Sequence, residues 1–377
     1  MTRYLSFLFG IFLLFVAPLQ THASTINTSA KQAIVFDYDT GTVLFEKNAD
    51  EQMPTSSMSK VLTAYLIFDA VAAGTLKLKD TFKVSEKAWR KGGSKMFVEI
   101  NDNVSIEDLL KGVIIQSGND ATIVLAEGLA GSEESFAELL NVKAKELEMD
   151  NSNFVNASGW PDPKHYSTAR DLGKLANALL KNHTQFYSYY GEKEFSYSDI
   201  AQQNRNPLLY QNIGADGIKT GHTEAGGFGL MGSGQKDGRR VIVVINGLES
   251  SSARAQESKK LLQWSLNGFK NEKIVTAGTI IGKAEVLLGQ AEQVNLITKE
   301  DINLTIPKTK EKHIEFKISY DGPIPAPINK DQKVAKLTIS VPGQKPLDFP
   351  LYAASTIEDK GLLSKTVYKA KTLIKGQ

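Results

Sequence analysis

The chain has 377 residues, with 44 Lys and Arg against 42 Asp and Glu, five His and no Cys. This length indicates about two domains, and a formal charge of +2 leaves no basic footprint for a nucleic acid. Without Cys the chain has no disulfide, no thiolate nucleophile and no Cys-ligated metal site. Five scattered His without an HExxH pair also argue against a catalytic metal, so none is expected.

The first 23 residues predict a secretory signal peptide. Arg3 precedes an apolar run from Leu5 to Pro18, and Thr21-His22-Ala23 puts small residues at the two positions that a signal peptidase reads. The alternative is a membrane anchor, but the apolar run is shorter than the roughly 20 residues needed to span a bilayer. We expect cleavage after Ala23 and export. Export removes access to cytosolic ATP and NAD, which favours a hydrolase without a cofactor, or a binding protein.

Residues 24–272 predict one domain in which helices and strands are mixed. Two short apolar segments flank the turn at residues 39–41 and predict a β-hairpin. Residues 54–73 are apolar at helical spacing and stop at Gly74, which predicts a helix.

Further along this region, Ser105 is followed by two carboxylates, the pattern of a capped helix N-terminus. Between Lys219 and Leu248 the pattern predicts two strands joined by a Gly-rich turn, Asp237-Gly238 included. A helix is predicted to follow over residues 252–269. These elements predict a mixed α and β architecture.

The rest of the chain predicts a small all-β domain over residues 273–355 and a terminal helix over residues 356–377. Short alternating segments separated by Gly and Pro predict the strands of the all-β domain. The terminal segment places apolar side chains on one helical face and lysines on its flanks, and it contains no Trp or Phe. This pattern predicts a basic amphipathic helix on an anionic membrane surface. The alternatives are a helix packed on the all-β domain and a frayed terminus.

A hydroxyl and an amine lie three residues apart at the predicted start of the first helix, in Ser57-Met58-Ser59-Lys60. Side chains at i and i+3 share a helix face about 5–6 Å apart, so the amine of Lys60 can reach the hydroxyl of Ser57. With no suitably paired His, a serine nucleophile needs this lysine as its base. The lysine must then be neutral, with a pKa well below about 10.4. A second match to SxxK, at residues 233–236, is assigned to a solvated hairpin turn.

Two further motifs follow in order. Ser117-Gly118-Asn119, 60 residues after Ser57, adds a hydroxyl and an amide. Lys219-Thr220-Gly221, 102 residues further on, lies on a predicted strand and supplies a cation, a hydroxyl and a bare backbone position. Each motif alone is weak, since Ser265-Leu266-Asn267 also matches SxN inside an ordinary helix. The ordered set in an exported chain is far more specific.

This ordered set resembles the signature of class A β-lactamases and penicillin-binding proteins. Residues 34–41, 202–206 and 219–223 are similar to the low-molecular-weight D-alanyl-D-alanine carboxypeptidases of the penicillin-binding protein 5 type. The resemblance covers essentially the whole chain. It implies an α+β fold, in which a penicillin-binding/β-lactamase-like transpeptidase domain has an antiparallel sheet, flanking helices and a helical subdomain. A small all-β domain is implied to follow.

The resemblance also implies roles for the first two motifs. Ser57 is implied to attack the carbonyl between the two terminal D-alanines of a peptidoglycan pentapeptide stem and to form an acyl-enzyme. Lys60 is implied to take the proton of Ser57. Ser117 is implied to pass a proton to the leaving amine, and Asn119 to hold the substrate amide or to orient Lys60. No cofactor is implied.

The third motif is implied to bind the substrate. Lys219 is implied to lower the pKa of Lys60 and, with Thr220 and Arg254, to attract the substrate carboxylate. Gly221 supplies the bare backbone, and the backbone N–H groups of Ser57 and His222 are implied to form an oxyanion hole. The side chain of His222 could instead be a base, but no carboxylate partner is obvious in sequence, which favours the backbone role.

The same resemblance implies that β-lactam antibiotics acylate Ser57 and act as inhibitors. It also favours the membrane reading of the terminal helix, which would put a peripheral protein on the periplasmic face of the cytoplasmic membrane. Other activities of the same fold, a DD-endopeptidase or a β-lactamase, stay open. So does a non-catalytic peptidoglycan-binding protein that merely keeps the motifs.

Overall fold

A computed structural model describes residues 26–308, 314–361 and 366 of the chain. The predicted signal peptide over residues 1–23 lies outside the described residues, and so does most of the predicted terminal helix. None of the helices within the described ranges is long and apolar enough to cross a membrane.

The described residues form α-helices, strands and short 3-10 helices. The α-helices are α1 (Lys60–Ala72), α2 (Glu86–Arg90), α3 (Ile106–Ile114), α4 (Asn119–Ala130), α5 (Glu133–Glu146), α6 (Ala169–Asn182) and α7 (Ser251–Gly268). The strands are β1 (Gln32–Asp37), β2 (Val43–Lys47), β3 (Thr81–Lys83), β4 (Asn103–Ser105), β5 (Glu194–Tyr197), β6 (Ile200–Gln203), β7 (Ala215–Thr223), β8 (Gly227–Lys236), β9 (Arg239–Leu248), β10 (Phe269–Val275), β11 (Ile280–Leu287), β12 (Gln293–Ile297), β13 (Ile302–Pro307), β14 (Glu315–Ser319), β15 (Ile324–Pro325), β16 (Lys333–Ser340) and β17 (Leu347–Ala353). The 3-10 helices are Ser56–Ser59, Thr184–Gly191 and Pro207–Tyr210.

A five-stranded antiparallel sheet in the order β2-β1-β9-β8-β7 organises the first part of the chain. Both of its faces are covered, because alternate residues of β1 and β9 enter different apolar cores. One core contains Ile34 and Val244 and is shared with α1, α3, α4 and α6. The other contains Val35 and Val243 and is shared with α7. Burial on both faces explains why every residue of β1 is buried.

Two local predictions in this region are confirmed. β1 and β2 form the predicted hairpin around residues 39–41. Ser105 caps α3, and its side chain accepts a hydrogen bond from the Asp108 backbone N–H, with Glu107 and Asp108 in the first turn. The predicted helix over residues 54–73 begins as the 3-10 turn Ser56–Ser59 and continues as α1.

The prediction of two strands between Lys219 and Leu248 is wrong, because three strands, β7, β8 and β9, occupy this region. The β8 strand contains several glycines, which removed the alternating apolar signal of a strand. A side chain at Gly229 would lie 2.4 Å from Asn246 Oδ1, so close packing requires glycine there. Ser233 is correspondingly buried in β8 and bonded to Arg240 instead of lying in a solvated turn.

The C-terminal part is all β, with a core of its own. Six strands form a sheet in the order β14-β16-β17-β12-β11-β15, and β10 pairs with β13. The core contains Leu296, Leu304, Leu337 and Leu351, each almost fully buried. The boundary predicted between residues 272 and 273 falls inside β10.

Candidate active site

The first motif lies where the 3-10 turn Ser56–Ser59 meets α1. Ser57 is partly exposed in this turn, whereas Lys60, the first residue of α1, is 1% exposed. The Nζ atom of Lys60 lies 2.8 Å from Ser57 Oγ, 2.8 Å from Asn119 Oδ1 and 2.7 Å from the carbonyl oxygen of Ser158. The spacing of SxxK on one helix face therefore brings its two functional atoms together.

The surroundings of Lys60 favour its neutral form. Burial lowers the pKa of Lys60 well below its ordinary value, and the charges of Lys219 and Arg205 lower it further, while Asp120 opposes the shift. A neutral amine has two N–H donors and one lone pair. The amide oxygen of Asn119 and the carbonyl of Ser158 can only accept, so they take the two N–H groups. The lone pair is left for the Ser57 hydroxyl.

The second motif lies between α3 and α4. Ser117 is 2% exposed and has a φ of 61°, a left-handed conformation that is uncommon for residues other than glycine. Asn119 begins α4, and besides its contact with Lys60 it donates from Nδ2 to the carbonyl of Gly92 at 2.9 Å. Within the described residues no hydrogen bond involves Ser117 Oγ.

The third motif lies on β7, the edge strand that packs against the turn of Ser57. A side chain at Gly221 would lie 2.9 Å from the carbonyl oxygen of Thr55, so only glycine allows this approach. Lys219 and Thr220 are 3% and 5% exposed, and Lys219 Nζ makes one long contact of 3.4 Å with the Thr220 carbonyl. Burial lowers the pKa of Lys219 to about 7, helped by the charges of Arg205 and Arg254.

Of the two remaining predicted residues, Arg254 lies beside this strand and His222 lies on it. Arg254, in the first turn of α7, is 8% exposed, and its Nη1 lies 3.5 Å from the Gly221 carbonyl. Its Nε is buried and has no hydrogen-bond partner among the described residues, and burial followed by the charge of Arg205 lowers its pKa to about 10. His222 is exposed, and its ring stacks on Phe228 at 3.8 Å.

Arg205 is a residue of this site that received no role from sequence. Its Nη1 lies 2.5 Å from Ser94 Oγ, and its charge acts on Lys60, Lys219 and Arg254 together. The sequence signal was a cation within residues 202–206, one of the segments that carry the resemblance, but its proximity to the other cations depends on tertiary structure.

The backbone around Asp120 is a second feature that the sequence motifs did not include. The carboxylate of Asp120 is fully buried and accepts hydrogen bonds from the backbone N–H groups of Met96 and Phe97 at 2.8 and 2.9 Å. It holds the loop beside Asn119, with Phe97 at a φ of 70°.

Chemically, the site combines an amine-assisted hydroxyl with a cluster of cations that can bind an anion. No group of three or more His, Asp or Glu side chains in the described part of the chain could hold a metal ion.

Comparisons with known proteins identify the family of the chain. Residues 19–250 match the family model described as D-alanyl-D-alanine carboxypeptidase, and residues 269–359 match the model of the C-terminal domain of penicillin-binding protein 5. The chain is 36% identical to the D-alanyl-D-alanine carboxypeptidase DacC of Escherichia coli, over 97% of this chain and 96% of that relative. It is 32% identical to DacF of Bacillus subtilis, over 97% of both chains.

Solved structures show the same similarity. The crystal structure of penicillin-binding protein 5 from Haemophilus influenzae matches with a TM-score of 0.76 at 33% identity, over 89% of this chain and 99% of that one. The carboxypeptidase DacD from Francisella tularensis matches with a TM-score of 0.80 at 30% identity, over 89% and 95%. The predicted α+β fold, with its penicillin-binding domain and following all-β region, is thereby confirmed. The chain belongs to the D-alanyl-D-alanine carboxypeptidase family and is a serine-type carboxypeptidase of peptidoglycan stem peptides.

Proposed function

We propose that Ser57 is the acylated nucleophile of this carboxypeptidase and that Lys60 is its base. The observation that carries the proposal is the set of contacts at the Lys60 amine, where two acceptors leave the lone pair to Ser57 Oγ at 2.8 Å. Lys60 takes the hydroxyl proton as Ser57 attacks the carbonyl between the two D-alanines. The C–N bond then breaks, the acyl group stays on Ser57, and water later hydrolyses the ester.

The leaving D-alanine needs a proton on its nitrogen. We assign the relay from Lys60 to this nitrogen to Ser117, a buried residue whose hydroxyl makes no hydrogen bond within the described residues and is free for the substrate. Asn119 orients Lys60 through Oδ1, and its first position on α4 supports a contact with the substrate amide as well. These steps return the proton of Ser57 to the product, so the cycle needs no cofactor.

Substrate binding is assigned to the cations around β7. A terminal carboxylate would be bound by Thr220, Lys219 and Arg254, a proposal supported by the unpartnered Nε of Arg254. The oxyanion is assigned to the backbone N–H groups of Ser57 and His222. Loss of one such donor typically costs about 2.7–4 kcal/mol in transition-state stabilisation.

The test compares two serines that both belong to SxxK sequences. Wild-type protein is incubated with a pentapeptide ending in D-Ala-D-Ala and, separately, with a fluorescent penicillin. We expect Ser57→Ala and Lys60→Met to abolish D-alanine release and labelling. Ser233→Ala, in the second SxxK sequence on β8, is expected to keep both. Absence of release and of Ser57-dependent labelling in the wild type would contradict the proposal.

We propose that β-lactams acylate the same Ser57. Penicillin-binding protein D2 of Listeria monocytogenes, whose structures are described as ampicillin-bound and cefotaxime-bound forms, is 28% identical over 63% of this chain and 97% of that one. Three measurements separate the other activities of this fold. Rapid antibiotic turnover would indicate a β-lactamase, and cleavage of cross-linked dimers would indicate an endopeptidase. A Ser57→Ala chain that fully replaces the wild type in cells would indicate a non-catalytic role.

We propose that the protein is exported and works at the periplasmic face of the cytoplasmic membrane. The support is the charged, apolar and small-residue order of residues 1–23 and the basic amphipathic pattern of residues 356–377. Deleting residues 362–377 should move the protein to the soluble fraction while D-alanine release from soluble peptides is kept. Unchanged fractionation would instead favour packing of this segment on the β-domain. The division of the mature chain at residues 24–272 and 273–355 likewise stays a prediction.

A further inference from the structure

A lysine and an exposed tryptophan form a second feature beside the catalytic residues. The Lys91 ammonium lies 4.1 Å from the centroid of the Trp160 ring, and Trp160 is 42% exposed. Within the described residues Lys91 makes no ion pair. Glu133, whose charge acts on Lys91, is itself bound to Lys87 at 3.1 Å and to the Ala157 N–H at 3.3 Å. Lys91 is therefore a cation that stacks on an aromatic ring and lacks a carboxylate partner.

The backbone of the tryptophan is anchored by a neighbouring side chain. The Asn156 side chain accepts from the Trp160 backbone N–H at 2.9 Å and donates to its carbonyl at 3.0 Å. The preceding Gly159 has a φ of 75°, and a Cβ there would lie 1.8 Å from the carbonyl oxygen of Ser56. This loop thus rests directly on the turn of the nucleophile. An exposed aromatic side chain on a backbone anchored in this way is preorganised for binding.

Trp160 also lies next to Asn119. A Cβ on Gly93 would be 2.8 Å from Asn119 Nδ2 and 3.1 Å from the Trp160 ring, so only this glycine separates the two groups. Trp160 and Thr223 line a common cavity of about 280 Å³. Thr223 ends β7, three residues beyond Thr220. With the terminal carboxylate at Thr220, the proposed function lets the stem peptide extend along β7 toward Thr223 and this tryptophan.

We propose that Lys91 and Trp160 form a specificity subsite for stem peptides whose residue before D-Ala-D-Ala carries a side-chain carboxylate. The inference rests on the proposed function, which sets the direction of the peptide. The Lys91 ammonium attracts a carboxylate and repels a lone ammonium, while the indole packs on the alkyl part of the side chain. Peptides with meso-diaminopimelate or L-lysine at this position test the role of the carboxylate directly, because the two side chains differ by one terminal carboxylate.

The test measures kcat/KM for D-alanine release from two peptides, L-Ala-γ-D-Glu-X-D-Ala-D-Ala, with meso-diaminopimelate or L-lysine as X. For a partly exposed pair we expect the wild type to prefer the diaminopimelate peptide by about three- to tenfold. Lys91→Met should bring this ratio close to one. Because the charge of Lys91 also lowers the pKa of Lys60, any change in the base acts on both peptides alike and leaves the ratio as the readout. Lys91→Arg should keep the preference, because it keeps both the charge and the stacking.

The control is Lys79→Met, which removes an exposed positive charge beyond the far end of α1 and should keep the wild-type ratio. A wild type that releases D-alanine from neither peptide would contradict the proposed function itself. A wild type that is active on both, with a ratio that Lys91→Met leaves unchanged, would overturn only this inference. Equal losses on both peptides in a Lys91→Met protein of unchanged melting temperature would also overturn it.

Discussion

At the scale of residues, the site concentrates cations that burial makes costly. Lys60 and Lys219 are almost fully buried, and Arg205 acts on both. Each cation disfavours the charge on its neighbours, which is the condition for a lysine that must be neutral to accept a proton. An anionic substrate bound among these cations would relieve their mutual repulsion.

The pH dependence of acylation should report this coupling. Lys60 must be neutral, so the acylation rate falls as the pH drops through its lowered pKa. Arg205→Met removes a cation that lowers this pKa, so the acid limb should move to higher pH. The measurement is the second-order rate constant with fluorescent penicillin between pH 4 and pH 10. Lys79→Met serves as the control, and a limb at the same pH in Arg205→Met would contradict the expected coupling.

Lys219 should also lower the stability of the fold. Its pKa is about 7 in the folded chain and about 10.4 when unfolded, so between these values the unfolded chain binds more protons. The destabilisation is therefore complete below pH 7 and fades as the pH rises toward 10. Lys219→Met should raise the free energy of unfolding at pH 6 by on the order of 2 kcal/mol and abolish activity. Urea unfolding at pH 6 and pH 10 measures this; an equal gain at both would contradict it.

At the scale of elements, the loop that contains Ala157, Ser158 and Gly159 packs on the turn of Ser57 and sets the orientation of the Lys60 amine. The Ser158 carbonyl that receives Lys60 belongs to this loop, and Thr63 of α1 fixes it further by donating to the Ala157 carbonyl at 2.6 Å. Gly159 allows the loop to meet Ser56 with almost no gap. The base is therefore oriented by a segment about 100 residues away in sequence.

Two glycines with similar positive φ values allow the effect of backbone strain to be measured apart from the effect of a steric clash. Gly159 and Gly131 have φ values of 75° and 79°, but a Cβ meets Ser56 only at Gly159, and at Gly131 it meets nothing within 4 Å. Gly131→Ala should cost about 1 kcal/mol of stability and leave acylation unchanged. Gly159→Ala should cost more and lose most of the acylation rate, because the Ser158 carbonyl moves away from Lys60. Melting temperature and penicillin labelling measure both variants; equal labelling would argue against this role.

At the scale of the whole molecule, one buried carboxylate links the two β regions. Asp37, at the end of β1, is fully buried and binds Arg239 Nε at 2.7 Å and Asn271 Nδ2 at 3.0 Å. Asn271 belongs to β10 and accepts from Thr305 of β13, whose hydroxyl lies 2.6 Å from that of Thr40. This network ties the sheet of the first part to the C-terminal strands.

Removing the charge of Asp37 should destabilise the protein without changing its chemistry. Asp37→Asn leaves the guanidinium of Arg239 buried without its carboxylate, which typically costs about 3–5 kcal/mol. The folded fraction should still acylate at the wild-type rate, because the network lies apart from Ser57. Asp39→Asn, at an exposed residue of the same turn, is the control and should unfold like the wild type. Urea unfolding with parallel labelling tests this; similar stability of the two variants would contradict it.

The sequence predicted features whose partners are close along the chain. The spacing of three residues across the 3-10 turn brings Ser57 and Lys60 together, and the Ser105 cap and the hairpin at residues 39–41 are equally local. The β8 strand was missed because close packing against Asn246 and Leu208 requires glycines in it. These contacts come from elsewhere in the chain, so the alternation of apolar and polar residues along β8 does not show them.

The opening composition, without Cys and with few His, left Ser and Lys as nucleophile and base, and their local spacing was enough to predict that pair. Only the tertiary structure decided what makes Lys60 neutral. The Ser158 carbonyl, Arg205, Lys219 and the burial of α1 all come from distant parts of the chain. A pKa depends on every charge and dipole in space around the group, whereas helix geometry depends on neighbours in sequence. The order of the motifs therefore identified the family, and packing set their electrostatics.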